Sequence, residues 1–131
     1  MQSSDLNQLF SSCRTGTSQP SNNIEARTEY QRDYDRVIFS SAFRRLQNKT
    51  QVFPLPGSIF VHSRLTHSLE VSSVGRSFGN LIGASLVKTY RTDFTEESRS
   101  FYSFDFANVL ATACLCHDIG NPAFGHAGED A

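Results

Sequence analysis

The residues best suited to chemistry are a histidine and an aspartate that stand side by side, His117 and Asp118. Apolar side chains recur with helical spacing from about Asp105 to His117, and the pattern stops near Gly120 and Pro122. His117 falls on the apolar face of this predicted helix, so we expect it to point inward at the helix end. An imidazole beside a carboxylate suits a divalent metal ion. An isolated His-Asp pair is more often a core histidine next to a helix-ending aspartate, so the metal hypothesis needs support from other residues.

Other histidines supply that support. His67 opens a second predicted helix, which should begin near Ser63–Thr66, and His117 ends the third. If these helices pack antiparallel, the two imidazoles meet at one end of a helical bundle. Glycines recur every four residues along one face of the second helix, at Gly75, Gly79 and Gly83. Because they lack side chains, another backbone can approach this face closely.

Two cysteines precede the His-Asp pair, and thiolates with a histidine suggest zinc. On a helix, however, Cys114 and Cys116 point about 200° apart and cannot share an ion. We interpret Cys114 as a core residue and Cys116 as neighbouring packing.

The rest of the chain indicates a mostly helical protein. Residues 1–23 are rich in Ser, Gln, Asn and Thr and predict a flexible N-terminal tail, and residues 24–46 predict a helix. Two β-prone runs flank a Pro-Leu-Pro-Gly turn and predict a small β-hairpin near residues 51–61. Residues 91–104 look like a connection, and residues 124–131 look like the start of a fourth helix. We therefore expect one domain, over residues 24–131.

Composition narrows the classes of function. The chain has 131 residues, which suggests one domain. Its formal net charge is −1, so it has no overall positive charge that would attract nucleic acid or anionic membranes. The Arg and Phe content leaves single-stranded nucleic acid as a weaker hypothesis, against which the near-neutral charge argues. Three cysteines and no membrane-length apolar run predict a soluble cytoplasmic protein rather than a disulfide scaffold.

Three stretches of the sequence resemble the deoxynucleoside triphosphate triphosphohydrolases, the dGTPase branch of the HD superfamily. They are residues 32–53 (RDYDRVIFSSAFRRLQNKTQVF), 64–76 (RLTHSLEVSSVGR) and 117–129 (HDIGNPAFGHAGE). The resemblance implies an all-α HD-domain bundle, incomplete in this chain, that releases triphosphate from a deoxynucleoside triphosphate, with dGTP favoured. It also implies a divalent cofactor, Mn or Mg first, with Zn, Fe or Co as alternatives, and a homo-oligomer at full length.

The resemblance also implies roles for individual residues. The family's metal ligands match His67, His117 and Asp118, and its catalytic pair matches His126 and Glu129. Its contacts to the sugar or base and to the phosphate chain match Gln51 and Arg64. Arg44 and Arg45 fall in an Arg-rich stretch of the family without an assigned contact.

Two departures from the family pattern affect what we expect of this chain. One proline of a usual pair is replaced, giving Pro122-Ala123. HD proteins also use a second metal-binding aspartate further along, so we expect this chain to be the N-terminal portion of an HD domain, with reduced or no activity. The alternatives are another HD phosphohydrolase or a non-catalytic nucleotide-binding module.

Overall fold

The described part of the protein is helical. The computed structural model describes residues 3–13, 26–49 and 63–122, which contain helices and no β-strand. In chain order these are α1 (Ser3–Leu6), α2 (Glu29–Phe39), α3 (Ser41–Arg44), a 3-10 turn (Arg45–Asn48), α4 (Arg64–Thr89), α5 (Glu96–Ser100), a π-helical turn (Phe101–Asp105) and α6 (Phe106–Cys116). The predicted helical class is confirmed. The predicted hairpin at residues 51–61 and the fourth helix at 124–131 lie outside the described residues, and the hairpin has no support.

Helix α4 is the longest element, with 26 residues. It begins where the sequence predicts, because the Ser63 hydroxyl accepts a hydrogen bond of 3.3 Å from the Thr66 amide. Its buried face is built mostly of small residues: Arg64, Ser68, Ser72, Gly75, Gly79 and Gly83. Five large apolar side chains of α4 lie on other faces and are exposed: Leu69, Val74, Phe78, Leu81 and Ile82.

The glycines let α4 and α6 pack closely in antiparallel directions. Gly75 lies opposite Cys114, Gly79 opposite Ala107, and Gly83 opposite the Tyr102 carbonyl. A Cβ atom built on Gly79 would lie only 2.5 Å from the Ala107 Cα, so any side chain there would force the two backbones apart. The close approach and the antiparallel packing predicted from the sequence are both confirmed.

The segment that precedes α4 is not one continuous helix. The prediction of a single helix over residues 24–46 is wrong, because Ser40 adopts an extended conformation (φ −70°, ψ 144°) that separates α2 from α3. Its hydroxyl accepts from the Phe43 amide at 3.1 Å and donates to the Val37 carbonyl at 2.7 Å. One serine side chain thus closes α2 and caps α3.

Two apolar clusters lie at opposite ends of the α4–α6 pair. One contains Phe43, Leu46 and Leu115, against which Leu65 and Ile119 pack, and it joins α3 and the 3-10 turn to the end of α6. The other contains Leu6, Phe94, Phe101 and Tyr102. The first cluster holds the end of the bundle where α4 begins and α6 ends.

The second cluster contains residues that the sequence assigned to a tail and to a connection. Within the predicted connection 91–104, the structure has α5 and most of the π-helical turn, so that prediction is wrong. Leu6, in the predicted tail, is only 5% exposed, and its carbonyl accepts a 2.8 Å hydrogen bond from the Tyr102 hydroxyl. Leu6 and Phe10 therefore pack on the core, while the expected boundary at residue 23 lies outside the described residues.

Candidate metal centre

Three possible metal ligands converge where α4 begins and α6 ends. One ligand atom from each of His67, His117 and Asp118 lies within 4.8 Å of the others. The two imidazole centroids are 5.2 Å apart. Two ligand atoms on opposite sides of an ion, each bound at about 2.1 Å, lie about 4.2 Å apart. The observed spacing is close to this value, so small side-chain rotations would let all three residues bind one ion. His67 sits in the first turn of α4, and His117 is the C-terminal capping residue of α6.

The hydrogen bonding of His117 suits a metal ligand. Its Nδ1 lies 2.7 Å from the Cys114 carbonyl oxygen, which can only accept a hydrogen bond. Nδ1 therefore carries the proton in the neutral ring, and Nε2 keeps a lone pair for a metal ion. Nε2 lies 3.5 Å from Oδ2 of Asp118. The His117 side chain is 34% exposed, so the ring that the sequence predicts to point inward is only partly buried at the end of α6.

Asp118 is held by a residue that the sequence analysis did not single out. The Asn121 side-chain amide donates a 2.8 Å hydrogen bond to Oδ1 of Asp118, whose side chain is 13% exposed. Between them, Gly120 has a φ of +95°, which a glycine adopts without strain and which turns the chain back after α6. The spacing of an aspartate, a glycine and an asparagine was the available signal for this turn.

Lys49 joins the front segment to the metal-binding end. Its ammonium group donates to the Asn121 carbonyl at 2.6 Å, and its own carbonyl accepts from the Arg64 amide at 2.8 Å. These contacts link the end of the 3-10 turn to the start of α4 and to the turn after α6. No local sequence pattern predicts the first of them, because the partners lie 72 residues apart.

Beside the metal cluster, a charged side chain is buried without a full set of partners. Arg64 is 5% exposed and its Nη1 has no hydrogen-bond partner within the described part of the chain. The Ser68 hydroxyl, one turn along α4, is also buried and without a partner there. A buried guanidinium nitrogen that lacks an acceptor costs free energy, and an anionic ligand would remove that cost. This arrangement fits a site that takes metal and phosphate together.

Three residues with predicted roles lie outside the part of the chain that the structure describes: Gln51, His126 and Glu129. Their roles stay predictions. Arg44 and Arg45 are exposed. Neither Cys114 nor Cys116 belongs to the group of ligands, and both are free thiols. Burial raises the pKa of the Cys116 thiol, which favours its neutral form.

The arrangement is that of a helical protein in which two histidines and an aspartate, at the junction of two antiparallel helices, form a candidate metal site. The HD domain family matches this chain over residues 64–131, which include α4, α6 and all three candidate ligands. The chain belongs to the HD domain family.

Named relatives agree with the resemblance found in the sequence. A deoxyguanosinetriphosphate triphosphohydrolase-like protein of Synechocystis is 50% identical over 95% of this chain and 27% of its own length. A similarly named protein of Listeria monocytogenes is 44% identical over 84% of the chain and 23% of its own length. A deoxyguanosinetriphosphate triphosphohydrolase of Yersinia enterocolitica is 46% identical over 78% of the chain and 20% of its own length. The chain thus spans about a quarter of the length of these relatives.

Among the described helices, none has the length and apolarity needed to cross a membrane.

Proposed function

We propose that this chain is part of a metal-dependent phosphohydrolase that converts a deoxynucleoside triphosphate, dGTP first, to deoxynucleoside and inorganic triphosphate. The observation that carries the proposal is the buried guanidinium of Arg64, three residues from the candidate metal ligand His67. The names of the relatives support the substrate class. The full-length polypeptide would carry the activity, as a cytoplasmic homo-oligomer, and the 131-residue chain alone would have little or none.

The metal would be held by His67, His117 and Asp118. Two imidazoles and a carboxylate accept Mn²⁺ or Mg²⁺, and equally Zn²⁺, Fe²⁺ or Co²⁺. A divalent ion bound there supplies charge neutralisation at the phosphate and makes a water molecule more acidic. The Cys114 carbonyl and the Asn121 amide orient two of the three ligands before any ion binds.

Arg64 would bind the phosphate chain. A guanidinium presents paired N–H donors that match phosphate oxygens, and burial strengthens each hydrogen bond by excluding water. Because Arg64 lies in the first turn of α4, its side chain starts close to His67 on the same turn. The phosphates would then lie between the metal and the start of α4.

Hydrolysis at the α-phosphorus requires two proton movements. A water oxygen forms the new bond to phosphorus, the bond from phosphorus to the 5′ oxygen breaks, and that oxygen takes up a proton. We assign this proton handling to His126 and Glu129, since a histidine next to a carboxylate can accept and donate near neutral pH. Gln51 would contact the sugar or base.

The products test the reaction. The full-length polypeptide, incubated with dGTP and Mn²⁺ or Mg²⁺, should yield deoxyguanosine and triphosphate in equal amounts. Formation of dGMP with pyrophosphate would contradict the proposal and indicate another HD phosphohydrolase reaction. Saturable dNTP binding without turnover and without a metal requirement would indicate a non-catalytic nucleotide-binding module.

A variant of Arg64 separates a functional role from a structural one. Arg64→Met keeps most of the side-chain volume and removes a buried, incompletely paired charge, so the free energy of unfolding should stay equal or rise by about 1–2 kcal/mol. The KM for dGTP should rise at least about tenfold, the effect of losing one charge-assisted hydrogen bond of about 1.5–3 kcal/mol.

The matched control is Arg36→Met, since Arg36 is 58% exposed on α2 and pairs with Asp33 at 3.5 Å. That variant should leave KM unchanged. A loss of stability in Arg64→Met with an unchanged KM would show that Arg64 is a structural residue.

A further inference from the structure

A cation-lined cavity lies at the other end of α4 from the candidate metal centre. It has a volume of about 530 Å³ and opens between the last turns of α4 and the α5 region. Its lining combines apolar, polar and cationic side chains, with Val87, Lys88, Arg91, Arg99 and Ser103 among the lining residues. Small-molecule sites commonly have volumes of about 300–1,000 Å³, so the cavity is large enough for a small ligand.

Within the part of the chain that the structure describes, the three cations of this cavity have no ion-pair partner. In residues 63–122, no carboxylate lies within ion-pair distance of Lys88, Arg91 or Arg99. Glu96 lines a smaller adjoining cavity together with Arg99, yet it forms no ion pair with that guanidinium. Three positive charges around one depression attract an anion and repel one another without it.

One of these cations is held in place before any ligand binds. The Nη2 atom of Arg99 donates hydrogen bonds of 3.2 Å to the carbonyl of Arg91 and 3.2 Å to the carbonyl of Phe94. A guanidinium has five N–H donors, and these two bonds use only the hydrogens of one nitrogen. The other N–H donors of Arg99 are therefore already oriented. On binding a ligand, Arg99 would lose less side-chain entropy than a mobile arginine would.

We propose that this cavity binds a small anion that carries a chain of phosphates. Phosphate oxygens match the fixed fork of Arg99, and Lys88 and Arg91 add charge to the lining of the same cavity. The Asn80 side chain and the Ser103 hydroxyl, both lining residues, supply neutral hydrogen bonds. Val87 and Ala84 form an apolar surface on which a nucleoside attached to the phosphates could rest.

This site is separate from the metal centre. Along α4, Asn80 and Lys88 lie 13 and 21 residues after His67, which corresponds to about 20 and 31 Å at a rise of about 1.5 Å per residue. One ligand molecule therefore cannot occupy both sites, and the proposal stands whether or not the metal centre hydrolyses dNTPs.

Titration calorimetry with the full-length polypeptide in EDTA tests the proposal. EDTA removes metal-dependent phosphate binding at His117 and Asp118, so the remaining heat reports other sites. Inorganic triphosphate should bind with one equivalent, and its affinity should fall as the salt concentration rises. Arg99→Gln should weaken binding about 10- to 100-fold, the range expected for lost charge-assisted hydrogen bonds.

Two further variants keep the test decisive, since Arg99→Gln also removes two bonds to backbone carbonyls. Lys88→Gln and Arg91→Gln leave those bonds in place and should each weaken binding several-fold, whereas Arg36→Gln on α2 should not change it. Equal affinity in Lys88→Gln, Arg91→Gln and the unmodified protein would overturn the proposal, as would binding that disappears only when Arg64 is replaced.

The ligand used in the titration identifies what the cavity recognises. Tighter binding of dGTP than of inorganic triphosphate would show that the apolar lining residues Ala84 and Val87 contribute, and equal binding would show that the phosphate chain is sufficient. Both results support the site. Preferential binding of a single-stranded oligonucleotide, with a steeper salt dependence than triphosphate, would overturn it in favour of a nucleic-acid surface.

Discussion

Alanine in place of each α4 glycine tests how the helix pair is held together. At Gly83 the new methyl group would collide with the Tyr102 carbonyl oxygen, and at Gly79 it would lie 2.5 Å from the Ala107 Cα. Both obstacles are backbone atoms, which cannot rotate away. Normal contact distances of about 3.5 Å would require the helices to separate by about 1 Å, and such overpacking costs about 1–3 kcal/mol.

The third position should behave differently. At Gly75 the nearest atom is the Cys114 Sγ at 2.5 Å, which is the end of a rotatable side chain. Alanine also has a helix propensity about 1 kcal/mol more favourable than that of glycine, which offsets part of every cost. We expect Gly75→Ala to change the free energy of unfolding by less than about 1 kcal/mol and Gly79→Ala and Gly83→Ala to lower it by up to about 2 kcal/mol.

Urea unfolding followed by circular dichroism measures these differences, with Ser85→Ala on the exposed side of α4 as the control for propensity alone. The midpoint should fall for Gly79→Ala and Gly83→Ala and stay or rise for Ser85→Ala. If Gly83→Ala is as stable as Ser85→Ala, or if Gly75→Ala is the least stable of the series, the contact geometry does not set the packing.

Three other predictions concern the core and the thiols. Burial raises the pKa of the Tyr102 hydroxyl above its ordinary value of 10.0, so the stability that the neutral hydroxyl contributes is present below pH 10.0 and is lost as the pH rises through the folded-state pKa. Tyr102→Phe should lower the free energy of unfolding by about 1 kcal/mol near neutral pH. Measured across pH, the variant should also lose less stability than the unmodified protein at alkaline pH. At pH 8 a thiol reagent followed by mass spectrometry should modify the exposed Cys13 before Cys116, whose pKa is raised by burial, and the reverse order would contradict the assignment. Thr28→Ala removes the cap of α2 and a hydrogen bond to the buried carboxylate of Asp105, so thermal unfolding should show a loss of about 1–3 kcal/mol, and an unchanged midpoint would show that α2 needs no cap.

Features set by neighbouring residues could be predicted from the sequence. The start of α4 followed from the Ser63 cap, and the end of α6 from the glycine and proline after it. His67 lies at the start of α4 and His117 at the end of α6, so antiparallel packing of the two helices brings the two imidazoles together. These inferences needed only helix geometry and one assumption about direction.

Features set by alternative hydrogen bonds or by distant residues could not be predicted. Ser40 can sit inside a helix or break one, and the break depends on its hydroxyl reaching Val37 and Phe43 at once. The polar composition of residues 91–104 hid α5 and the π-helical turn, since their burial comes from the distant Leu6 segment. Lys49 and Asn121 meet across 72 residues, which no local pattern encodes.

The glycine seam between α4 and α6 leaves several large apolar side chains of α4 facing water, and these side chains affect how the protein behaves in solution. Leu81 is 69% exposed and Phe78 is 56% exposed, with Val74 and Ile82 on neighbouring turns. A formal net charge of −1 and a pI near 6.4 provide little long-range repulsion between molecules. The 131-residue chain, prepared by itself, should therefore bind hydrophobic dyes and precipitate most readily between pH 6 and 7, and charged substitutions on this surface should improve its solubility more than equal substitutions on α2.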